Sequence, residues 1–172
     1  MLKVRAIIIV AMLLWPNALS ANLDVVKSYM PEARKIGAGV LTYLFWDVYR
    51  ATLYAPVAGW RADMPFALSL TYLLDLKGRD IAERTISEIR DQGFEDETTL
   101  ASWSVRLGEM FPDVTKGDSL TAVRDIVGRT IYYSGARRVG MIEDPFFSRL
   151  FFDIWLGDKT SEPRLRRALL GG

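Results

Sequence analysis

The order of the predicted elements places this chain in the α+β class. Strand patterns come first, two amphipathic helix patterns follow, and a strand meander and two further helix patterns complete the chain. A doubly wound α/β fold would instead alternate strands and helices. The length of 172 residues and the 50% share of apolar residues suit one domain with a single core. We therefore expect one α+β domain over residues 22–172.

An aromatic segment, Phe45–Pro56, dominates the first half of the chain. It carries four aromatic rings among twelve residues, with Asp47 and Arg50 set between them. Aromatic and β-branched residues favour a strand over a helix, and Pro56 ends the strand because proline cannot donate to a sheet ladder. Charged residues in so apolar a strand lie on a solvated face, pair with each other, or face a cavity. The segment is therefore either the wall of a binding site or a core strand with one wet face.

Hydrophobic periodicity predicts the other elements. The predicted strands are Leu41–Trp46, Val48–Tyr54, Phe66–Leu73, Asp118–Arg124, Arg129–Ser134 and Arg138–Ile142, with a turn or bulge at Asp47. The predicted helices are Arg79–Gln92, Glu95–Phe111, one from Pro145 to Gly157, and a short one from Ser161-Glu162-Pro163 through Leu170. Residues 22–34 show only a weak pattern.

Residues 1–21 have the pattern of a secretory signal. Lys3 and Arg5 precede an apolar run, Ala6–Trp15, and small residues that suit cleavage follow near Ser20. A membrane anchor is the alternative, but these ten apolar residues are half of the about 20 that span a bilayer. We therefore predict export across the inner membrane to the periplasm, with no transmembrane segment after cleavage.

The composition excludes several classes of function. The chain has no Cys and no His, so disulfides, thiolate or histidine catalysis, and histidine- or cysteine-ligated metals are all excluded. Its 22 basic and 21 acidic residues give a net charge of +1 without a basic stripe, so nucleic-acid binding is not predicted. No cofactor and no metal site are predicted.

Three segments resemble the bacterial secreted chalcone-isomerase-like proteins of the chalcone isomerase and fatty-acid-binding-protein superfamily. They are Trp46–Pro56, Asp80–Arg84 with the glycine that ends its helix, and Gly140–Gly157 with the closing Leu169-Leu170-Gly171. The resemblance spans about residues 35–171. It implies an open-faced β-sandwich, a curved antiparallel sheet with helices covering one face. In such folds a pocket between sheet and helices holds a chalcone in the plant enzymes and a fatty acid in the binding relatives.

The catalytic residues of the plant enzymes do not match this sequence. Aligned on the resemblance, their strand threonine falls at Tyr49, where the fatty-acid-binding members also have tyrosine, and their arginine falls near Gly37. Their helix tyrosine and asparagine fall at Ile81 and Glu88, and their last hydroxyl residue falls at Ile154. We therefore assign no catalytic residue and do not favour an enzyme.

The sequence favours a non-catalytic periplasmic binder of a fatty acid or another small apolar carboxylate. The candidate ligand-binding residues are Tyr49, Trp46, Arg84 and Arg34. Because the strand period is two, Tyr49 and Arg50 point to opposite faces, and we place Tyr49 in the pocket with a cation from Arg84 or Arg34. The alternatives are an isomerase, meaning an intramolecular lyase of unknown substrate, and a structural or interaction module.

Each candidate residue also has a plainer interpretation. Tyr49 and Trp46 could be core packing, and Arg84 a solvated helix charge or one half of a pair with Asp80 or Glu88. Glu88 itself is expected to face water. Two basic clusters are candidates for peripheral contact with lipid headgroups or are solvated faces: Arg137-Arg138, and Arg164 with Arg166 and Arg167.

Overall fold

A computed structural model describes residues 18–57 and 59–172 of the chain, with side chains from Asn22 onward. Its six strands form one antiparallel sheet in the order β1-β2-β3-β4-β5-β6. The strands are β1 Arg34–Tyr43, β2 Trp46–Ala55, β3 Phe66–Tyr72, β4 Ser119–Arg124, β5 Thr130–Ser134 and β6 Arg137–Ile142. The helices are α1 Ala18–Tyr29, α2 Gly78–Asp91, α3 Glu97–Met110, α4 Pro145–Leu156 and α5 Pro163–Leu169.

The predicted fold class is confirmed, because four of the five described helices cover one face of the antiparallel sheet. Helix α2 buries the predicted stripe, with Ala82, Ile86 and Ile89 in the core. Helix α4 begins where the sequence indicates, since Asp144 accepts a hydrogen bond from the Phe146 amide at 2.8 Å and proline follows it. Sheet and helices thus enclose one hydrophobic core.

The hairpin between β1 and β2 turns earlier than predicted. Tyr43 pairs directly with Trp46, so the turn consists of Leu44 and Phe45. Asp47 lies inside β2, where its carboxylate accepts a hydrogen bond from the Thr42 hydroxyl at 2.6 Å. Of the turn or bulge predicted at Asp47, the bulge is present, because Val48 is an extra residue between the Leu41–Tyr49 and Thr42–Asp47 pairs, while the turn itself lies at Leu44 and Phe45.

Helix α1 covers the opposite face of the sheet, in a region where the sequence pattern is weak. Val26 and Met30 pack against Tyr54, Ala67 and Val123, which form a second small core. The resemblance implied helices on one face only, and α1 adds a helix to the other. The predicted signal peptide lies outside the described residues over 1–17, and α1 begins within its last part. None of the described helices is long and apolar enough to cross a membrane.

Helix α5 lies against β1 at a very close distance. A Cβ atom on Gly37 would lie 2.1 Å from the carbonyl oxygen of Ala168, and one on Gly39 would lie 2.7 Å from Leu165 Cδ1. These two glycines therefore allow the backbones to approach, which explains the glycines that precede the aromatic segment. The residues just before α5 reach the site described next.

Candidate ligand-binding cavity

A cavity of about 590 Å³ lies between the sheet and the covering helices. Its volume falls within the range of about 300–1,000 Å³ that is typical of small-molecule sites. The deep wall is formed by buried apolar side chains of β3, β4, α4 and the end of α3, namely Leu68, Leu70, Leu120, Ala122, Phe111, Phe151 and Ile154. The sheet and the helices thus meet around an apolar space that an organic molecule fits.

The mouth of the cavity is more polar than its wall. It is formed by exposed residues from the β1–β2 hairpin, α2 and the segment before α5, namely Tyr43, Trp46, Asp80, Arg84 and Ser161. This arrangement presents apolar surface to the interior and polar atoms to the outside. An elongated molecule with one polar end matches it.

Tyr49 is a half-buried residue of β2 whose hydroxyl group lies at the cavity. The indole Nε1 of Trp155 donates a hydrogen bond of 2.9 Å to the Tyr49 oxygen, and the ring contacts Tyr72 edge-to-face at 6.0 Å. Burial raises the pKa of Tyr49 well above its ordinary value, although the hydrogen bond from Trp155 opposes this change. The phenol is thus neutral and keeps its own proton to donate.

Glu88 is a buried carboxylate on the cavity side of α2. Its side chain is only 10% exposed and pairs with Arg84, whose side chain is 64% exposed. Its second oxygen accepts a hydrogen bond of 3.1 Å from the Ser161 hydroxyl. The expectation that Glu88 faces water is wrong, because the cavity face of α2 includes this position and two partners hold the carboxylate there.

Acidic groups outnumber basic ones around the cavity. Asp80, Glu88 and Glu162 line it, with Arg84 as the single cation among the described lining residues. Three of these charges affect the pKa of Tyr49. Glu88 and Glu162 raise this pKa and Arg84 lowers it, each by less than burial does. A ligand therefore meets a mouth with an excess of negative charge.

The structure brings three of the four predicted binding residues together and leaves one elsewhere. Tyr49, Trp46 and Arg84 all line the cavity. Arg34 lies at the start of β1, opposite Ala55 at the other end of the sheet, and donates a hydrogen bond of 2.7 Å to the Val57 carbonyl oxygen. Arg34 is thus no cation for this cavity, because the first and last residues of a ten-residue strand lie far apart.

The positions aligned with the plant catalytic residues fall into two groups. Tyr49, Ile81, Glu88 and Ile154 all line the cavity, whereas Gly37 lies beneath α5. The alignment therefore finds the cavity correctly, while the side chains there differ from those of the enzymes. Among the described residues, no cluster of acidic side chains could hold a metal ion.

Sequence reasoning did not assign six aromatic residues to the cavity, namely Tyr43, Tyr72, Phe111, Tyr132, Phe151 and Trp155. Trp155 follows Phe151 by four positions on α4, so the helical stripe alone could have indicated it. Tyr132 is buried, and its hydroxyl has no hydrogen-bond partner among the residues that the structure describes. No sequence signal distinguishes Tyr132 from an ordinary core tyrosine.

A curved antiparallel sheet that encloses an apolar cavity beneath helices defines an α+β protein built to hold a small molecule. A family model described as chalcone isomerase-like matches residues 35–171. The chain therefore belongs to the chalcone isomerase-like family.

One solved structure supports the fold independently. The crystal structure of a fatty-acid-binding protein from Arabidopsis thaliana matches with a TM-score of 0.64 and 15% identity, covering 81% of this chain and 87% of the other. At this identity the likeness shows the fold alone. No curated protein matches the sequence.

Proposed function

We propose that this protein binds a small apolar molecule with one polar end, such as a fatty acid or the corresponding fatty alcohol, in the cavity and does not transform it. The observation that carries the proposal is the cavity of about 590 Å³ with an apolar wall and a polar mouth. At about 30 Å³ for a group the size of water, it holds on the order of 20 non-hydrogen atoms. The Arabidopsis relative, a fatty-acid-binding protein by its description, supports this ligand class.

The side chains of the cavity argue against the alternative isomerase function. Closing a chalcone ring requires a cation at the developing negative charge and a network of hydroxyl groups. Ile81 and Ile154 supply only apolar surface at the corresponding positions, and Arg84 is already paired with Glu88. An interaction module with a filled core is also disfavoured, because the cavity is large enough for a ligand.

We also propose that the protein acts in the periplasm after removal of residues 1–21. The basic start and the apolar run Ala6–Trp15 support this proposal. A chain without cysteine is compatible with an oxidising compartment, since it has no thiol to oxidise.

One experiment on protein purified without detergent tests both points. Native mass spectrometry of the protein expressed from the full-length sequence should give the mass of a chain cleaved near Ser20, with an adduct that denaturation removes. In solution, an uncharged phenylnaphthylamine dye should bind and be displaced by a fatty acid. Ala122→Phe, which fills the cavity, should abolish dye binding, whereas Ala101→Phe on the exposed face of α3 should not.

Several outcomes would contradict the proposal. A bare protein mass combined with no dye binding would remove the binder function. Equal dye binding by Ala122→Phe and the unmodified protein would place the dye outside the cavity. An uncleaved mass in every cell fraction would contradict the proposed export.

A further inference from the structure

The tip of the β1–β2 hairpin, Tyr43–Trp46, exposes four consecutive large apolar or aromatic side chains. Leu44 is 74% and Phe45 94% exposed, and Tyr43 and Trp46 are exposed as well. Runs of three to four exposed apolar residues are unfavourable in water and usually mark a surface that contacts something else. The tip is therefore a candidate interaction surface.

The turn residues at this tip are unusual for a hairpin. Two-residue turns normally contain Asn, Asp or Gly, which tolerate a positive φ. Leu44 has a φ of 54° and is the only non-glycine residue with a positive φ among those that the structure describes. Folding alone would favour Asn or Gly here, so the apolar side chains are explained better by a contact than by the turn itself.

The tip adjoins the mouth of the cavity. Tyr43 and Trp46 are at once tip residues and cavity-lining residues. Whatever surface covers the tip therefore also lies next to the route by which a molecule enters or leaves the cavity.

The same end of the sheet carries two exposed arginines, in addition to the exposed acidic residues Asp47, Asp75 and Asp118. Because neighbouring strands are antiparallel, the β5–β6 turn lies at the same end as the β1–β2 turn, across about 19 Å of sheet. Arg137 and Arg138 at this turn are exposed, and neither forms an ion pair among the described residues. Two exposed arginines at the same end of the sheet as the exposed aromatic tip match the headgroup phosphates and the acyl layer of an anionic bilayer.

The N-terminal part of the chain also arrives at this end. Asn22 in α1 accepts a hydrogen bond of 2.8 Å from the Ser119 hydroxyl, and Ser119 is the first residue of β4. The apolar run Ala6–Trp15 precedes α1 in the sequence. Before this run is removed, export therefore holds the domain from the end that carries the tip.

We propose that this end of the sheet, defined by the tip Tyr43–Trp46 together with Arg137 and Arg138, docks on an anionic lipid bilayer. Phe45 and Leu44 enter the upper acyl region, Trp46 and Tyr43 lie at headgroup level, and the arginines contact lipid phosphates. Exchange of the ligand between the bilayer and the cavity, which rests on the proposed function, then avoids water. A second copy fits the tip less well, since four side chains at a convex turn cannot bury the about 800 Å² per partner of a stable interface.

Flotation with vesicles tests this proposal on the cleaved protein. The protein should float with vesicles of equimolar phosphatidylcholine and phosphatidylglycerol and much less with pure phosphatidylcholine. Leu44→Asn/Phe45→Gly should weaken binding by about tenfold or more, because two large apolar side chains no longer leave water. Asn tolerates the positive φ of position 44 and Gly adds no side chain at position 45, so the turn can be kept, and thermal unfolding of the variant separates a loss of binding from a loss of fold.

A matched control and a second variant sharpen the test. Ile126 and Val127 are exposed apolar residues of the β4–β5 turn at the opposite end of the sheet. Ile126→Ser/Val127→Ser should therefore bind vesicles like the unmodified protein. Arg137→Gln/Arg138→Gln should remove most of the preference for the anionic vesicles.

Four results would overturn the proposal. They are no flotation with either vesicle, flotation unaffected by Leu44→Asn/Phe45→Gly, equal losses in the tip variant and the opposite-end control, and a lipid-free dimer that the tip variant dissociates. Binding of the phenylnaphthylamine dye without vesicles is measured in parallel. Retained dye binding with absent flotation would refute the docking alone, and retained flotation with absent dye binding would refute the proposed function alone.

Discussion

At the residue scale, the central feature is the ion pair between the buried carboxylate of Glu88 and Arg84. Among the described residues, Arg84 is the only arginine that lines the cavity. Glu88 takes up the charge of Arg84 and is held in place by Ser161. A carboxylate ligand would compete with Glu88 for Arg84 and lie close to a like charge in a medium of low polarity, where charges interact strongly. An uncharged polar end avoids this competition and can still accept the proton of Tyr49.

The first residue-scale prediction concerns the choice of ligand head group. The unmodified protein should bind dodecanol more tightly than dodecanoate, as measured by displacement of the phenylnaphthylamine dye. Glu88→Gln should raise the affinity for dodecanoate about tenfold, because it frees Arg84 and removes a negative charge. The affinity for dodecanol should change little.

Glu83→Gln provides the matched control on the same helix. Glu83 pairs with Arg79 on the exposed side of α2, and its side chain is 57% exposed. This variant should leave both affinities unchanged. An unchanged affinity of Glu88→Gln for dodecanoate would show that Arg84 does not bind the ligand.

At the scale of elements, the contact between α5 and β1 holds the mouth in shape. Gly37 and Gly39 allow α5 to approach the strand, and Ser161 and Glu162 of the mouth immediately precede this helix. A shift of α5 would therefore move these residues away from Glu88. The packing of one short helix thus decides the geometry of the polar end of the cavity.

Gly37→Ala tests this role. The added Cβ would lie 2.1 Å from the Ala168 carbonyl oxygen, so α5 must move, and we expect a loss of about 1–3 kcal/mol in the free energy of unfolding by urea. Dye binding should weaken as well. Gly108→Ala is the control, since nothing lies near a Cβ at this exposed position of α3 and alanine should stabilise the helix by up to about 1 kcal/mol. Equal stability of the two variants would contradict the close contact.

At the scale of the whole molecule, buried tyrosines make the stability of the fold depend on pH in the alkaline range. Burial raises the pKa of Tyr72 and of Tyr132 well above their ordinary value of 10.0. Burial and, to a smaller extent, the hydrogen bond with Tyr29 raise the pKa of Tyr133 to about 12. The unfolded chain releases these protons near pH 10 while the folded chain still holds them.

The sign of the pH dependence follows from this difference. Below about pH 10 both states hold the protons and these groups add no slope, whereas above it the unfolded state binds fewer protons and stability falls. Urea midpoints should therefore be constant between about pH 8 and 9 and decrease from about pH 10 upward. Tyr132→Phe should show a smaller decrease, because one buried phenol is removed. A midpoint independent of pH up to about 11 would contradict the burial of these hydroxyl groups.

Elements with a local signal can be predicted from the order of the residues. The stripes of α2 and α4, the Asp144-Pro145 start and the strand meander depend on residues within a few positions of each other, so periodicity and capping are sufficient to predict them. The alternation of β2 likewise determined that Tyr49 and Arg50 point to opposite faces. The resemblance added the family and the position of the cavity.

Features that depend on residues far apart in the chain could not be predicted from local patterns and became visible in the folded molecule. Glu88 faces the cavity because Ser161, 73 positions later, comes to its side, and α1 is stabilised by a second apolar face of the sheet that no local pattern reveals. Arg34 and Arg84 were equally good candidates for the cation of the cavity by sequence. In the structure Arg84 lines the cavity, whereas Arg34 lies at the far end of β1. Charge pairing and burial depend on which surfaces contact each other, and these contacts form only when the helices pack on the sheet.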